Sequence, residues 1–347
     1  MLPAPLLFAS SVTPVIAQEA PASAEAAEQE RFRMRGFGNI DYAAASAEGQ
    51  SDGFRLGALD LYMTSSISAR FSALAELVFE SDGGELVTDL ERLTLTYEPG
   101  SHLRLDLGRM HSPIVLWNVE HHHGVYLDTP IERPAMARFE DHPGAWPLHF
   151  VGLTASGEVT TGGSLRYLVG VGNGRGEILD RVQVAGDAGG GSAALASISL
   201  APVLGWKLTA SGYFDTIPAE SGALRERDYT LSTVYVGQGI ELRAEWARMN
   251  HSPTDGAETY RTTGYYVLVS KRLPGRLEKV RPYLLFDHLR VAPGEAFLAD
   301  ITDEESWTAG ARFDPIGGAA LKLEYRSQKN GATDRASVIQ VQAAFAF

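Results

Sequence analysis

Short segments in which apolar and polar side chains alternate recur along most of this 347-residue chain. The clearest examples pair Leu321, Leu323 and Tyr325 with Lys322, Glu324 and Arg326, and Ile240, Leu242, Ala244 and Trp246 with Glu241, Arg243 and Glu245. A period of two residues is typical of a β-strand whose two faces meet different environments. The alternation therefore predicts an all-β protein. It does not by itself separate a soluble β-sandwich from a transmembrane barrel, since both alternate along each strand.

Composition removes several other classes of protein. The mean hydropathy of −0.10 excludes a bundle of membrane-spanning helices. The chain has no Cys, so a disulfide scaffold or a thiolate metal site is impossible. Its formal net charge of −13, without a cluster of Lys and Arg, argues against nucleic acid as a partner.

The first residues read as an export signal. Residues 2–16 are apolar and uncharged, and Val15-Ile16-Ala17 has the small-residue spacing of a signal-peptidase site. We therefore predict a signal peptide over residues 1–17, a solvated Ala- and Glu-rich leader over 18–30, and the folded domain over 31–347. A poorly ordered N-terminus is the alternative. The lack of a Lys or Arg before the apolar run leaves open a start upstream of Met1.

The lengths of the connections favour a barrel. With the first strand beginning at Arg31, we count about sixteen antiparallel strands, and an even number is usual for bacterial transmembrane barrels. The connections then fall into two sets, those that follow odd-numbered strands and those that follow even-numbered strands. Most connections in one set are long: 46–53, 81–88, 111–146, 173–191, 216–225, 250–258, 291–304 and 328–334. The other set is mostly short: 65–68, 98–101, 160–163, 202–205, 237–239, 272–278 and 314–318. Outer-membrane barrels alternate long external loops with short periplasmic turns in this way.

The last strand ends the chain on an aromatic residue, with Ile339, Val341, Ala343, Phe345 and Phe347 alternating with Gln340 and Gln342. With this ending, the chain after Arg31 resembles the sixteen-stranded porins of Gram-negative bacteria, in which a terminal Phe is an assembly signal. The resemblance implies a homotrimer, exported through the periplasm, that sits in outer-membrane lipid and lets small hydrophilic solutes or ions diffuse passively. It also implies that the longest connection, 111–146, is the third external loop and folds inward to narrow the pore.

A local motif gives a partial resemblance to the phosphate-selective porin branch. Leu107-Gly108-Arg109, followed by Met110-His111-Ser112-Pro113, is similar to a strand-end motif of that branch. His111 stands where the motif tends to carry Lys, and the sequence has no dense cluster of Arg and Lys. Anion specificity is therefore not implied, and solute identity and ion selectivity stay open.

Two sets of charged residues are candidates for the pore constriction. The loop supplies Glu120, His121, His122, His123, Asp128, Glu132, Arg133, Arg138, Glu140 and Asp141. A basic lumen wall opposite is predicted from the strand phase to contain Arg33, Arg35, Arg92, Arg104, Arg166, Lys207 and Arg243. Loop carboxylates facing these cations would impose a transverse field on a passing solute. The alternative is that each residue only keeps the lumen wet.

Neither a metal nor a cofactor is assigned from the sequence. Consecutive side chains diverge, so at most His121 and His123 could converge, with Glu120 or Asp128 completing a site. Solvated loop histidines that titrate near neutral pH are the default expectation.

Two alternatives to a channel are kept open. An outer-membrane hydrolase is suggested by the neighbouring His111 and Ser112, and by His251 and Ser252 in a similar motif, although no third orienting residue is evident. A soluble exported β-rich binding protein, such as a carbohydrate binder, is the other alternative.

Overall fold

The computed structural model describes residues 31–45, 52–82, 85–122, 124–139, 144–160, 162–176, 192–219 and 222–347. The predicted signal peptide and leader lie outside these residues. The strands form one closed barrel in which each pairs with its neighbours in the chain and β1 pairs with β16. The prediction of a sixteen-stranded antiparallel barrel is therefore confirmed. The strands are β1 Phe32–Ala45, β2 Gly53–Ser66, β3 Phe71–Asp82, β4 Glu85–Gly100, β5 Leu103–His111, β6 His149–Thr160, β7 Ser164–Asn173, β8 Ser192–Ala201, β9 Trp206–Ala219, β10 Gly222–Gly237, β11 Ile240–Pro253, β12 Tyr260–Lys271, β13 Val280–Arg290, β14 Glu304–Ile316, β15 Ala319–Asn330 and β16 Ala336–Ala346.

The barrel closes between its first and last strands. Their antiparallel register runs from Phe37 opposite Ala346 to Ala45 opposite Val338. The terminal residue extends this ladder, because the backbone of Phe347 exchanges hydrogen bonds of 2.8 and 2.9 Å with Gly36. Closure removes the unpaired edges that an open sheet would expose.

Alternation along the strands separates an apolar outer face from a polar inner face. On β15, Leu321, Leu323 and Tyr325 are about half exposed, at 48%, 54% and 49%. The alternate residues Lys322, Glu324 and Arg326 are buried. An inner face this polar can be buried only if hydrogen-bonding groups inside the barrel cover it.

The connections differ most from the predicted set at two places. The strands extend through most of the predicted loops 81–88 and 216–225, so only residues 83–84 separate β3 from β4 and only 220–221 separate β9 from β10. These loops were predicted too long because their polar residues continue the strand pairing, as Glu80 opposite Val87 and Arg225 opposite Thr216 do.

The longest connection joins β5 to β6 over residues 112–148 and is called L3 below. It contains the short helix α1, Leu116–His121, and a 3₁₀ turn at Ala135–Ala137. Another 3₁₀ turn, Gly275–Leu277, lies between β12 and β13. Within the described residues, no helix has the length and apolarity needed to cross a membrane.

Candidate pore constriction

L3 lies inside the barrel, against the inner faces of the later strands. Its apolar residues Ile114, Trp117, Met136 and Trp146 are fully buried in one cluster with inward-facing wall residues such as Tyr266, Leu268 and Leu285. Gly264 on β12 makes room for this packing, since a Cβ atom there would lie 2.8 Å from the Cβ of Met136. Burial of these large side chains supplies the apolar part of the energy that holds L3 in place.

Charged wall residues hold the backbone of L3. Glu245 on β11 accepts a hydrogen bond of 2.7 Å from the N–H of Leu116, and Glu324 on β15 accepts one of 2.7 Å from Ile131. Lys322 on β15 donates from Nζ to the carbonyl oxygens of Val125 and Pro130, at 2.6 and 2.9 Å. The buried charged side chains of β11 and β15 therefore supply hydrogen bonds to backbone N–H and C=O groups of L3 that have no partner in a sheet.

Two of the predicted loop carboxylates meet two of the predicted wall cations. Glu120 contacts Nζ of Lys207 on β9. Oδ1 of Asp128 lies 3.1 Å from Nη1 of Arg243 on β11 and 3.2 Å from Nδ1 of His121. These pairs place L3 across the inside of the barrel from β5 to β11.

The other predicted wall cations do not reach L3 through their ion pairs. Arg92 pairs with Glu76, Arg104 with Asp106 at 2.8 Å, and Arg166 with Glu158 at 2.9 Å. Each of these carboxylates comes from the wall itself. Arg33 and Arg35 are exposed on β1, before its register with β16 begins at Phe37.

The basic residues of L3 are bound locally or to the wall. Arg133 donates from Nη2 to the carbonyl oxygen of His121 at 3.0 Å, and its guanidinium lies 3.8 Å from the ring centroid of Phe139. Nη2 of Arg138 lies 2.7 Å from the carboxylate of Glu304 on β14. Oε1 of Glu132 accepts a hydrogen bond of 2.5 Å from Nε2 of Gln340 on β16. His123, Glu140 and Asp141, also predicted at the constriction, lie outside the described residues.

Burial shifts the pKa of two groups in L3. It lowers the pKa of His121 below its ordinary value, and the Asp128 carboxylate opposes this shift. It lowers the pKa of Arg133 to about 10, again opposed first by Asp128. His121 is therefore neutral near pH 7, whereas Arg133 keeps its charge.

Two cavities border L3, and together they face β16 and the strands from β1 to β9. One, of about 400 Å³, lies between L3 and strands β1, β2, β3 and β16. Its charged lining residues are Asp41, Arg55, Glu80, Glu132, Arg133 and Arg138. The other, of about 670 Å³, lies between L3 and β4 to β9, and it is lined by Glu120 and Lys207 together with Glu98, Arg104, Glu158 and Arg166.

The anchors were missed at the level of the sequence although their signal was present. Glu245 has the same strand phase as Arg243, which we predicted to face the lumen, and Lys322 and Glu324 lie on the polar face of β15. The prediction selected cations to oppose loop carboxylates and left out acids on the same wall. Hydrogen bonds from wall carboxylates to the loop backbone require contacts that the strand phase does not specify.

Neither His111 with Ser112 nor His251 with Ser252 forms a pair of catalytic base and nucleophile. Oγ of Ser112 accepts a hydrogen bond of 3.3 Å from the N–H of Ile114. Oγ of Ser252 lies 3.0 Å from Oγ1 of Thr259, whereas the ring of His251 contacts Glu226 and Glu295. Within the described residues, neither hydroxyl is hydrogen-bonded to its neighbouring imidazole, the contact that activates a serine nucleophile.

A closed sixteen-stranded barrel with an apolar outer face and a long connection folded into its polar interior has the architecture of an outer-membrane porin. Solved structures agree. The chain is similar to an anion-selective porin from Comamonas acidovorans, with a TM-score of 0.68, 14% identity, and 91% of this chain and 99% of that chain covered. It is also similar to the outer membrane channel DcaP of Acinetobacter baumannii, with a TM-score of 0.62 and 12% identity over 91% of this chain and 97% of that one.

A third similar structure is the trimer form of OmpT, an outer membrane protein of Vibrio cholerae, with a TM-score of 0.60 and 8% identity over 91% of this chain and 99% of that one. At these identities the likeness establishes the fold. No protein-family model matches the sequence, and the search of curated proteins returned no match.

Proposed function

We propose that the protein is a passive outer-membrane channel for small hydrophilic solutes or ions. The observation that carries this proposal is the combination of a closed barrel, an apolar outer face and a polar interior crossed by L3. A barrel of this size leaves an interior wide enough for water, and an inserted loop reduces that width. Diffusion through such a channel needs no cofactor.

The two cavities beside L3 are our candidate path through the constriction. Ion pairs and hydrogen bonds bind L3 to β9 and to β11, β14, β15 and β16, and both cavities lie mainly beside β1 to β8. In the cavity beside β1 to β3, Glu132 of L3 and Asp41 of β1 border the same space as Arg55 of β2. Carboxylates and guanidinium groups on opposite sides of a narrow aqueous path orient polar solutes and select ions by charge.

Export and assembly complete the proposal. We infer that residues 1–17 direct the chain to the periplasm and are removed after Ala17, that 18–30 form a solvated leader, and that the barrel inserts into outer-membrane lipid. A homotrimer is supported by the similarity to the trimer form of OmpT. The apolar outer face favours a membrane channel over a soluble binding protein, and the separate partners of Ser112 and Ser252 favour a channel over a hydrolase.

Single-channel recording of the refolded mature chain in a planar bilayer tests this function. Under a salt gradient we expect stepwise openings, in groups of three if the protein is a trimer, and the reversal potential gives the sign of the ion selectivity. A folded, heat-modifiable barrel that inserts into the bilayer and never conducts would contradict the proposal.

A further inference from the structure

A cluster of three histidines and one carboxylate lies where β4 and β5 separate. The ladder between these strands ends at Leu93 opposite Arg109, whereas β4 stays paired with β3 as far as Glu85, and β5 stays paired with β6 as far as His111 opposite His149. Glu91 and His111 each lie two residues beyond the last β4–β5 pair. The gap is thus bordered by side chains from two strands that have stopped sharing backbone hydrogen bonds.

A β-bulge directs the carboxylate into this gap. Leu90 pairs with Leu77 and Arg92 pairs with Glu76, so Glu91 is the extra residue of β4 in the ladder with β3. A bulge changes the direction of the side chain it carries. Glu91 is 6% exposed, and Oε2 of Glu91 lies 2.7 Å from Nε2 of His149.

L3 supplies the remaining histidine. Nε2 of His122, the residue after α1, lies 3.3 Å from Oε2 of Glu91 and 3.1 Å from Nε2 of His149. The ring of His111 stacks on that of His122, with 3.8 Å between centroids. One donor atom from each of Glu91, His111, His122 and His149 falls within 4.8 Å of the others.

These separations suit a small tetrahedral cation. Ligand atoms about 2.0–2.1 Å from a tetrahedral Zn²⁺ are roughly 3.3 Å from one another. The triangle formed by Glu91 Oε2, His122 Nε2 and His149 Nε2 has edges of 2.7, 3.1 and 3.3 Å. The distances between these three donor atoms are therefore already close to those between the ligand atoms of a tetrahedral Zn²⁺ site.

A polar neighbour also sets the tautomer of His122. Nδ1 of His122 contacts Oδ1 of Asn118, and Nδ2 of Asn118 donates to the carbonyl oxygen of Leu148 at 2.9 Å. The second hydrogen bond fixes the amide orientation, so Oδ1 faces His122 and accepts its Nδ1–H. Nε2 then carries a lone pair toward Glu91 and His149, and a hydrogen bond to the outer ring nitrogen is characteristic of metal-binding histidines.

We propose that Glu91, His111, His122 and His149 form a binding site for a divalent transition metal, with Zn²⁺ the best fit. Imidazole and carboxylate without thiolate suit Zn²⁺ and its neighbours in the first transition row. Four protein ligands leave no open position, so the site is structural rather than catalytic. Bound metal would tie the end of α1 to β4, β5 and β6, fixing the start of L3 to the wall opposite its anchors on the later strands.

The direct test is metal binding by the folded, untagged mature chain in detergent, after treatment with a chelator. When Zn²⁺ is added to the chelator-treated chain, we expect elemental analysis to find one Zn²⁺ bound per chain. When Co²⁺ is added in its place, we expect the intense visible absorption of tetrahedral Co²⁺. We also expect Zn²⁺ to raise the thermal unfolding temperature, because a ligand of the folded state alone stabilises it. A wild-type barrel that binds neither ion, or that shows only the weak absorption of octahedral cobalt, overturns the proposal.

Variants locate the ion. His149→Gln and Glu91→Gln should each abolish the cobalt absorption, and Asn118→Ala, which alters a positioning residue, should weaken Zn²⁺ binding by about 10- to 100-fold. His102→Gln, in the exposed turn between β4 and β5 at the other end of the barrel, is the matched control and should bind as wild type does. Heat-modifiable mobility verifies that each variant is folded. Folded His149→Gln and Glu91→Gln proteins that keep wild-type metal binding overturn the assignment, and neither result depends on whether the channel conducts.

Discussion

Glu245 on β11 accepts a hydrogen bond of 2.7 Å from the backbone N–H of Leu116, the first residue of α1. The helix has no capping hydrogen bond from the side chain of its own N-cap residue, Val115. A wall carboxylate thus binds an N–H group that the first turn of a helix leaves without an intrahelical partner. The interaction shows how this barrel holds its inserted loop, with charged wall residues satisfying loop backbone.

Removing that carboxylate should loosen L3. We expect Glu245→Ala to lower the free energy of unfolding by about 1–3 kcal/mol, because it leaves a buried N–H unpaired. Urea unfolding in lipid vesicles measures the change. Glu305→Ala removes an exposed ion pair with Arg335 and should cost no more than about 1 kcal/mol. Equal losses in the two variants would show that Glu245 does not anchor the loop.

The contact between L3 and β12 predicts a steric effect at Gly264. In Gly264→Ala the new methyl group would meet Met136 and Trp146, at 2.8 and 3.1 Å, and overpacking of this kind costs about 1–3 kcal/mol. Because the added methyl group would displace L3 from the wall, the single-channel conductance should also change. In Gly317→Ala the added methyl group meets nothing within 4 Å, so this variant should keep wild-type stability and conductance. If Gly264→Ala had the same stability and conductance as Gly317→Ala, L3 would not pack against β12.

Charge removal at the proposed constriction should change ion selectivity. Glu132 borders the cavity between L3 and β1 to β3, so Glu132→Gln should shift the reversal potential in a salt gradient toward anions. Glu258→Gln changes the net charge equally at an exposed site between β11 and β12 and should leave the reversal potential unchanged. The same shift in both variants would mean that Glu132 acts through net charge alone.

The lowered pKa of His121 predicts a pH-dependent stability. Because the pKa of His121 is lower in the folded than in the unfolded chain, protonation favours unfolding. Its cost appears as the pH falls below about 6.5 and stops growing below the folded-state pKa. His121 faces Asp128 and Glu241, which oppose the shift in its pKa, and Arg243 and Arg133, which reinforce it.

Urea unfolding near pH 7.5 and near pH 5.5 measures this contribution when wild type is compared with His121→Gln. Both proteins contain the other histidines, so the difference between their pH dependences isolates His121. We expect wild type to lose more stability than the variant on acidification. Equal losses would show that His121 has the same pKa in the folded and unfolded chains.

The fold could be predicted from the sequence because the signal is periodic and repeated. Leu323 and Glu324 illustrate this, since a lipid-facing Leu must alternate with an inward Glu in any strand with these two environments. The resemblance to the sixteen-stranded porins implied that the longest connection folds inward, and the structure places L3 inside the barrel. Loop boundaries were less accurate, because polar residues such as Arg225 also belong to paired strands beyond the apolar band.

The arrangement inside the barrel was decided only by the tertiary structure. Strict alternation places Arg92 inward and Glu91 outward, but a bulge directs Glu91 to His122 and His149. The sequence singled out His121 and His123 as the histidines able to converge; in the structure His121 contacts Asp128, whereas His122 joins residues from β4, β5 and β6. Alternation in the sequence determined which environment each strand face meets. The contacts between a loop and the wall depend on bulges and on chain segments far apart in sequence, which no local period encodes.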